Sequence, residues 1–266
     1  MNNDTRETVK RYPWTTGVRQ LGHHENGLLA VFKPGGVLSH PNEGQGKERA
    51  LLPWKYDHKR QCYLSPDPYF PDLHLLHRID SPTSGVVLLS STEGEADRVR
   101  SLFANRSVEK TYYAIVKGRL QSPLEVWTDH LNTKREKGFA RTVTQKGIES
   151  VTEVRSPSRP PRHATASLLE FKPRTGRTHQ IRVQCANRQM PILGDLTYGD
   201  FAWNKEWRKN SRDKDLYLHA ARLRLPMGKE GLLTVCAEFP ESYARALPLL
   251  GLPTLPFVLK DRFNIS

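Results

Sequence analysis

The strongest restriction on how this chain can fold is the spacing of its short apolar runs, which proline and glycine cut off before they reach helical length. Leu28 to Phe32 ends at Lys33-Pro34-Gly35-Gly36 and reads as a strand stopped by a turn. Gly85 to Ser90 (Gly-Val-Val-Leu-Leu-Ser) is apolar as far as Leu89, as a strand buried on both faces requires. Lys110 to Gly118 alternates, with Tyr112, Ala114 and Val116 on one face and Tyr113 and Ile115 on the other. Further strands are expected at Val151 to Arg155, Ala164 to Phe171, Leu218 to Leu225 and Leu232 to Glu238. Helical signals are fewer. Thr92 and Glu95 stand in capping-box spacing ahead of Ala96, Val99, Leu102 and Phe103. Thr178 is placed to cap a helix running to about Asn187, and Pro240 to Leu250 is expected to form a short last helix. Strands outnumber helices without alternating with them, so the expected class is α+β: a mixed, mainly antiparallel sheet with helices packed on it.

A chain of 266 residues suffices for one large domain or two small ones. It shows no internal repeat and no clear linker, so residues 21–266 are read as a single domain behind an N-terminal arm at 1–20. Pro41 to Pro71 is rich in Pro, Gly, Lys, Tyr and Asp, with Trp54 and Phe70 as its large anchors. It is read as a long surface loop with little regular structure and a candidate RNA contact. Between Arg119 and Arg162 the chain is polar, and only the strand at 151–155 stands out.

Forty-one Lys and Arg against 28 Asp and Glu give a formal net charge of +13, which favours a polyanionic partner over a neutral metabolite. The three cysteines are far apart and fit neither a disulfide framework nor a zinc spacing. No apolar run approaches the roughly 18 residues of a membrane span. A soluble, cytoplasmic protein that binds nucleic acid, RNA or DNA, and is by default a monomer, is the expectation. His77, His179 and His219 do not pair with other ligands at a recognised local spacing, so a metal is not expected. Nor is there a Gly-x-Ser-x-Gly elbow, a P-loop or a dinucleotide fingerprint.

The chemistry gathers around His77-Arg78-Ile79-Asp80-Ser81-Pro82-Thr83-Ser84-Gly85, where a carboxylate is presented in a turn between two apolar runs. An aspartate there is most often a turn residue or a cap. Two other segments change its standing: Lys110-Thr111-Tyr112-Tyr113-Ala114, and Arg174-Thr175-Gly176-Arg177-Thr178-His179-Gln180-Ile181-Arg182, a basic turn running into a helix start suited to anions. With Leu29-Ala30-Val31-Phe32-Lys33-Pro34 before them and Pro191-Ile192-Leu193-Gly194-Asp195 after them, these segments resemble the RluA-type pseudouridine synthases in both content and order. The likeness runs from about Leu28 to Leu225.

The resemblance implies the pseudouridine synthase catalytic fold with a central basic cleft, uridine isomerisation in ribosomal or transfer RNA, and no cofactor. It implies Asp80 as nucleophile, Tyr112 against the target base and Arg182 paired with the aspartate, where an opposite charge favours the ionised carboxylate. A uridine inside a helix must be flipped out, and Arg78 is the candidate to fill the gap or to hold a phosphate. Lys33, Arg174, Arg177 and His179 are expected to contact the RNA backbone. A basic RNA-binding or assembly factor without turnover is the competing reading. Ile79 stands where the family usually has leucine, and Gln184 where it often has histidine, a change expected to act on packing beneath the helix. The first motif lies too near the start of the sequence for the small RNA-binding domain that many relatives carry. Substrate choice is therefore expected to rest on the 41–71 loop, the segment from Tyr198-Gly199-Asp200 to Asp215, and the C-terminal tail.

Overall fold

The computed structural model describes residues 12–42, 46–136, 139–144, 147–253 and 260–266. Its strands are β1 (Arg19–His23), β2 (Leu28–Lys33), β3 (Lys55–Asp57), β4 (Cys62–Leu64), β5 (Leu73–Leu75), β6 (Ser84–Ser90), β7 (Glu109–Lys117), β8 (Leu124–Glu136), β9 (Phe139–Thr144), β10 (Ile148–Arg155), β11 (Ala166–Pro173), β12 (Leu218–Pro226), β13 (Leu232–Cys236) and β14 (Arg262–Ile265). The helices are α1 (Glu93–Ala104), α2 (Gln180–Asn187), α3 (Phe201–Ser211) and α4 (Glu241–Leu249). The strands form one sheet in the order β3-β4-β5-β6-β12-β7-β11-β10-β8-β9, with β2 also paired to β6. Among the described residues every named ladder is antiparallel except β6 with β12. The fold is thus α+β with a mixed, largely antiparallel sheet, as the run spacing predicts.

The central strands are apolar on both faces because both faces are covered. On β2, Leu28, Ala30 and Phe32 join a core with Ala96 and Val99 of α1, while Leu29 and Val31 join another with Trp54, Tyr63 and Leu73. On β7, Tyr113 and Ile115 pack with Tyr243 of α4, and Ala114 and Val116 with Ile181 and Cys185 of α2. The two-residue period of Lys110 to Gly118 therefore sorts side chains between two cores.

Several local expectations are corrected. The 41–71 segment contains β3 and β4, and Trp54 is buried at its base. The polar stretch after Arg119 forms the β8–β9–β10 meander. Thr92 does cap α1 in position, but its side chain makes no capping bond, and Glu95 turns to Arg98 at 2.6 Å. The cap of α2 is His179, not Thr178. The basic stretch after Tyr198 forms α3, whose first turn is closed by the Asp200 carboxylate accepting from the Trp203 amide at 3.0 Å. Residues 1–11 of the expected arm lie outside the described residues, and Tyr12 and Trp14 pack against the core around Trp54. No described helix is long and apolar enough to cross a membrane, which says nothing of strands.

Candidate active site

Asp80 sits in the turn before β6, a turn strapped down from several directions. Its own carbonyl accepts from the Thr83 amide at 3.0 Å. Ser81 O, next in line, accepts from the Gly36 amide at 2.8 Å and from Lys33 Nζ at 2.9 Å, while Ser39 Oγ donates to Ile79 O at 2.9 Å. Immediately after the turn, Gly85 has φ of 128°, and a Cβ there would lie 2.1 Å from Ala220 O. Only glycine lets β12 approach β6 so closely at this point.

Lys33 does not face the cleft. Its side chain is fully buried, and Nζ donates to the carbonyls of Pro34, Val37 and Ser81. Burial lowers its pKa to about 7, opposed by the nearby Asp80 carboxylate. The residue ties the turn after β2 to the Asp80 turn, so its part in the site is positional, and the expected backbone contact gives way to a structural one.

Across the cleft, Arg182 projects from α2 and lies almost wholly buried between two carboxylates. Nη1 donates to Asp80 Oδ2 at 3.2 Å, while Nε and Nη2 form a two-pronged pair with Asp195 at 2.8 Å each. Burial works against this cation, but Asp195 and Asp80 outweigh it and hold the guanidinium above its usual range. Asp195 is pushed up by burial and brought below its usual range by Arg182 and by the amides of Tyr198 and Thr197. In the sequence Asp195 is no more than the end of a motif. Its role becomes visible once the Asp80 turn and the turn after α2 are seen to meet on Arg182.

Tyr112, on β7, completes the trio by lining the same cavity of about 470 Å³ as Asp80 and Arg182. Burial, and then the Asp80 carboxylate, raise its pKa, so the phenol is neutral at ordinary pH. Arg78, Arg174, Arg177 and His179 line that cavity too, joined by Arg106 and Lys110. Burial brings Lys110 down to about 8, and its Nζ donates to Thr175 O at 2.9 Å. Arg78 rests against His40 Nε2 at 3.4 Å, and Arg174 pairs with Glu153 at 2.9 Å. His179 lies deeper than a backbone contact requires, with Nε2 3.8 Å from Asp80 Oδ2. His77 Nε2 accepts from the Leu88 amide, and both ring nitrogens of His219 are engaged, by Ser84 and Ala237.

The chain as a whole, and not this cleft alone, can be set beside known proteins. The family model described as RNA pseudouridylate synthase matches residues 27–187. The chain belongs to that family. This RNA pseudouridine synthase is 32% identical over 218 residues to tRNA pseudouridine synthase C of Vibrio cholerae, covering 77% of this chain and 84% of the relative. It is 32% identical over 231 residues to the protein of the same name from Pasteurella multocida, covering 81% and 89%. Among solved structures, the human RNA Pseudouridylate Synthase Domain Containing 4 superposes with a TM-score of 0.66 at 25% identity, over 87% of this chain and 93% of that one. The synthase isomerises uridine in RNA, and the reading as a binding factor without turnover gives way to an enzyme.

Gln184, expected to act on packing beneath the helix, joins α2 to the sheet. Its buried amide donates to Asp129 Oδ2 at 3.0 Å and Ser150 O at 3.1 Å and accepts from Thr152 Oγ1 at 2.6 Å. The side chain fastens α2 to β8 and β10, which agrees with an effect on packing.

Proposed function

We propose that the chain converts a uridine of transfer RNA to pseudouridine, with Asp80 as nucleophile, Arg182 holding its carboxylate and Tyr112 lying against the base. The transfer RNA assignment follows the names of the relatives above. The observation that carries the catalytic reading is the chain from buried Asp195 through buried Arg182 to half-buried Asp80, which fixes one oxygen of Asp80 and opens beside Tyr112.

In the isomerisation the bond from the sugar C1′ to N1 breaks and a bond from C1′ to C5 forms. One proton leaves C5 and one is gained at N1, so no oxidant or reductant is involved. Asp80 serves by attacking covalently or by taking a sugar proton on the way to a glycal. Its Oδ2 is held by Arg182, while Oδ1 accepts no hydrogen bond among the described residues, which favours Oδ1 as the reacting atom. The neutral Tyr112 phenol suits a stacking wall for the detached uracil, which must stay bound while it turns. Arg78 and the basic rim are assigned to the flipped nucleotide and its flanking phosphates.

Asp80→Asn keeps the size of the side chain and one acceptor but removes the anion. Pseudouridine formation on transfer RNA transcripts should become undetectable, while RNA affinity stays within about threefold, since rim phosphate contacts dominate binding. Turnover retained by this variant would falsify the assignment of the nucleophile.

A further inference from the structure

We propose that His179 is a positioning residue for the Asp80 carboxylate, with the Thr142 amide and the Tyr198 hydroxyl fixing its ring so that Nε2–H faces Asp80. This rests on the reading of Asp80 as nucleophile and adds a second group that orients it.

Three observations converge. First, His179 takes the left-handed backbone conformation, with φ 55° and ψ 18°, at the N-cap of α2. Residues other than glycine seldom adopt it, and such outliers gather where geometry is set for function. The conformation brings its ring against Asp80, at 3.8 Å, instead of placing it with the exposed Arg177. Second, the ring is anchored on its far side. His179 Nδ1 lies 2.9 Å from Tyr198 Oη, and Tyr198 Oη accepts from the Thr142 amide at 2.8 Å. The Thr142 amide holds the phenolic oxygen in place, and the Asp80 carboxylate on the other side of the ring favours the ring proton at Nε2, which leaves Nδ1 to accept from the Tyr198 hydroxyl. Third, Tyr198 is itself held in place. Its amide donates to Asp195 Oδ1 at 3.0 Å, and its ring centre lies 5.2 Å from the Arg182 guanidinium carbon.

Asp80 Oδ2 is therefore approached from two sides, by Arg182 Nη1 in a hydrogen bond and by the His179 N–H at longer range. Both draw charge toward Oδ2 and turn Oδ1 to the cleft. The groups facing His179 are Asp80, Arg182, Asp195, Arg78 and Tyr198. Burial, helped by Arg182 and Arg78 and opposed by Asp80 and Asp195, holds the imidazole below its usual range, so the neutral form persists at ordinary pH.

The test uses the full-length enzyme labelled with 15N at histidine, together with Tyr198→Phe and His179→Asn. Asparagine tolerates the left-handed conformation, so the start of α2 is kept. The wild-type spectrum should show His179 as the Nε2–H tautomer, and Tyr198→Phe should mix the tautomers. Each variant should lose roughly 10-fold to 100-fold in kcat, the scale of a misplaced reacting group, with KM within about twofold. His179→Asn with normal kcat and raised KM would make the residue an RNA contact and overturn the proposal. An Nδ1–H tautomer in the wild type, or full kcat in Tyr198→Phe, would overturn it as well. Failure of the nucleophile reading is separate, because it shows as turnover in Asp80→Asn and leaves the tautomer of His179 unchanged.

Discussion

The floor and the rim of the cleft both carry arginines, but they are built on opposite terms. On the floor, Arg182 is 5% exposed at its side chain and is engaged by two carboxylates. At the rim, Arg177 and Arg106 are exposed and form no ion pair among the described residues, while Arg174 is 61% exposed and has only the half-open Glu153. A buried cation is costly unless fully paired, so the floor can be fixed but cannot trade partners. An exposed cation contributes little to stability and is available to a phosphate. The two regions should therefore respond to different insults: the floor to loss of a partner or to protons, the rim to salt.

The largest effect is expected from cutting the floor chain at its far end. Asp195→Ala leaves the Arg182 guanidinium buried with a single remaining partner, and breaking such a pair typically costs about 3–5 kcal/mol. It also strips the acceptor from the Thr197 and Tyr198 amides. Denaturant unfolding should show that loss, and turnover should collapse with it. A stable Asp195→Ala protein would mean that the floor is less closed than its geometry indicates.

Acid gives the next largest separation. Burial brings His77 down to about 3 and His219 down to about 4. An unfolded histidine binds its proton near pH ~6.5, so between that value and the native one the unfolded state holds more protons. The stabilising contribution is complete above about pH 6.5 and is lost as pH falls toward the native values, at up to about 1.4 kcal/mol per pH unit for each ring. His77→Gln can still accept the Leu88 amide proton, and its unfolding free energy should fall less steeply between about pH 6.5 and 4 than that of the wild type. Parallel curves would show that His77 keeps its proton count on unfolding.

How much of this is legible in the sequence follows the same divide. The Asp80 turn, β2, β6, β7 and α2 can be read because each carries a local pattern: a Pro-Gly stop, an apolar run, a two-residue period. The pairing of Asp80 with Arg182 comes from family resemblance, not from spacing, since 102 residues separate them. Of the β8–β9–β10 meander only the later part of β10 shows in the sequence, as the strand expected at 151–155; the rest escapes because one face of β8 and β10 is open to solvent, where Leu124, Val126 and Ile148 are exposed and polar residues interrupt any apolar run. Lys33 and His179 are hard to place for a common reason. A cation or imidazole in a basic motif looks like a phosphate ligand until burial is known, and three backbone carbonyls or one tyrosine hydroxyl cannot be seen in a linear motif. The Asp200 cap and the basic last turn of α3 are legible signals that the charge of the segment obscures.

The smallest effect, and the cleanest test of the division, is at the rim. Arg177 lines the cavity above Asp80 and also the adjoining hollow formed with Leu131, Asn132 and Ile148, so its guanidinium is open to both. Removing one phosphate interaction should lower the slope of log Kd against log salt by about 0.7 to 0.9 and weaken binding several-fold at low salt. In Arg177→Ala, kcat at saturating RNA should stay near wild type, because no floor residue depends on this side chain. Arg174→Ala should do less, since Arg174 must give up Glu153 to reach a phosphate, and what it gains from the RNA is offset by the ion pair it breaks. If Arg177→Ala lowered kcat and left the salt slope alone, the rim would be part of the floor, and the separation between holding the RNA and holding the Asp80 carboxylate would fail.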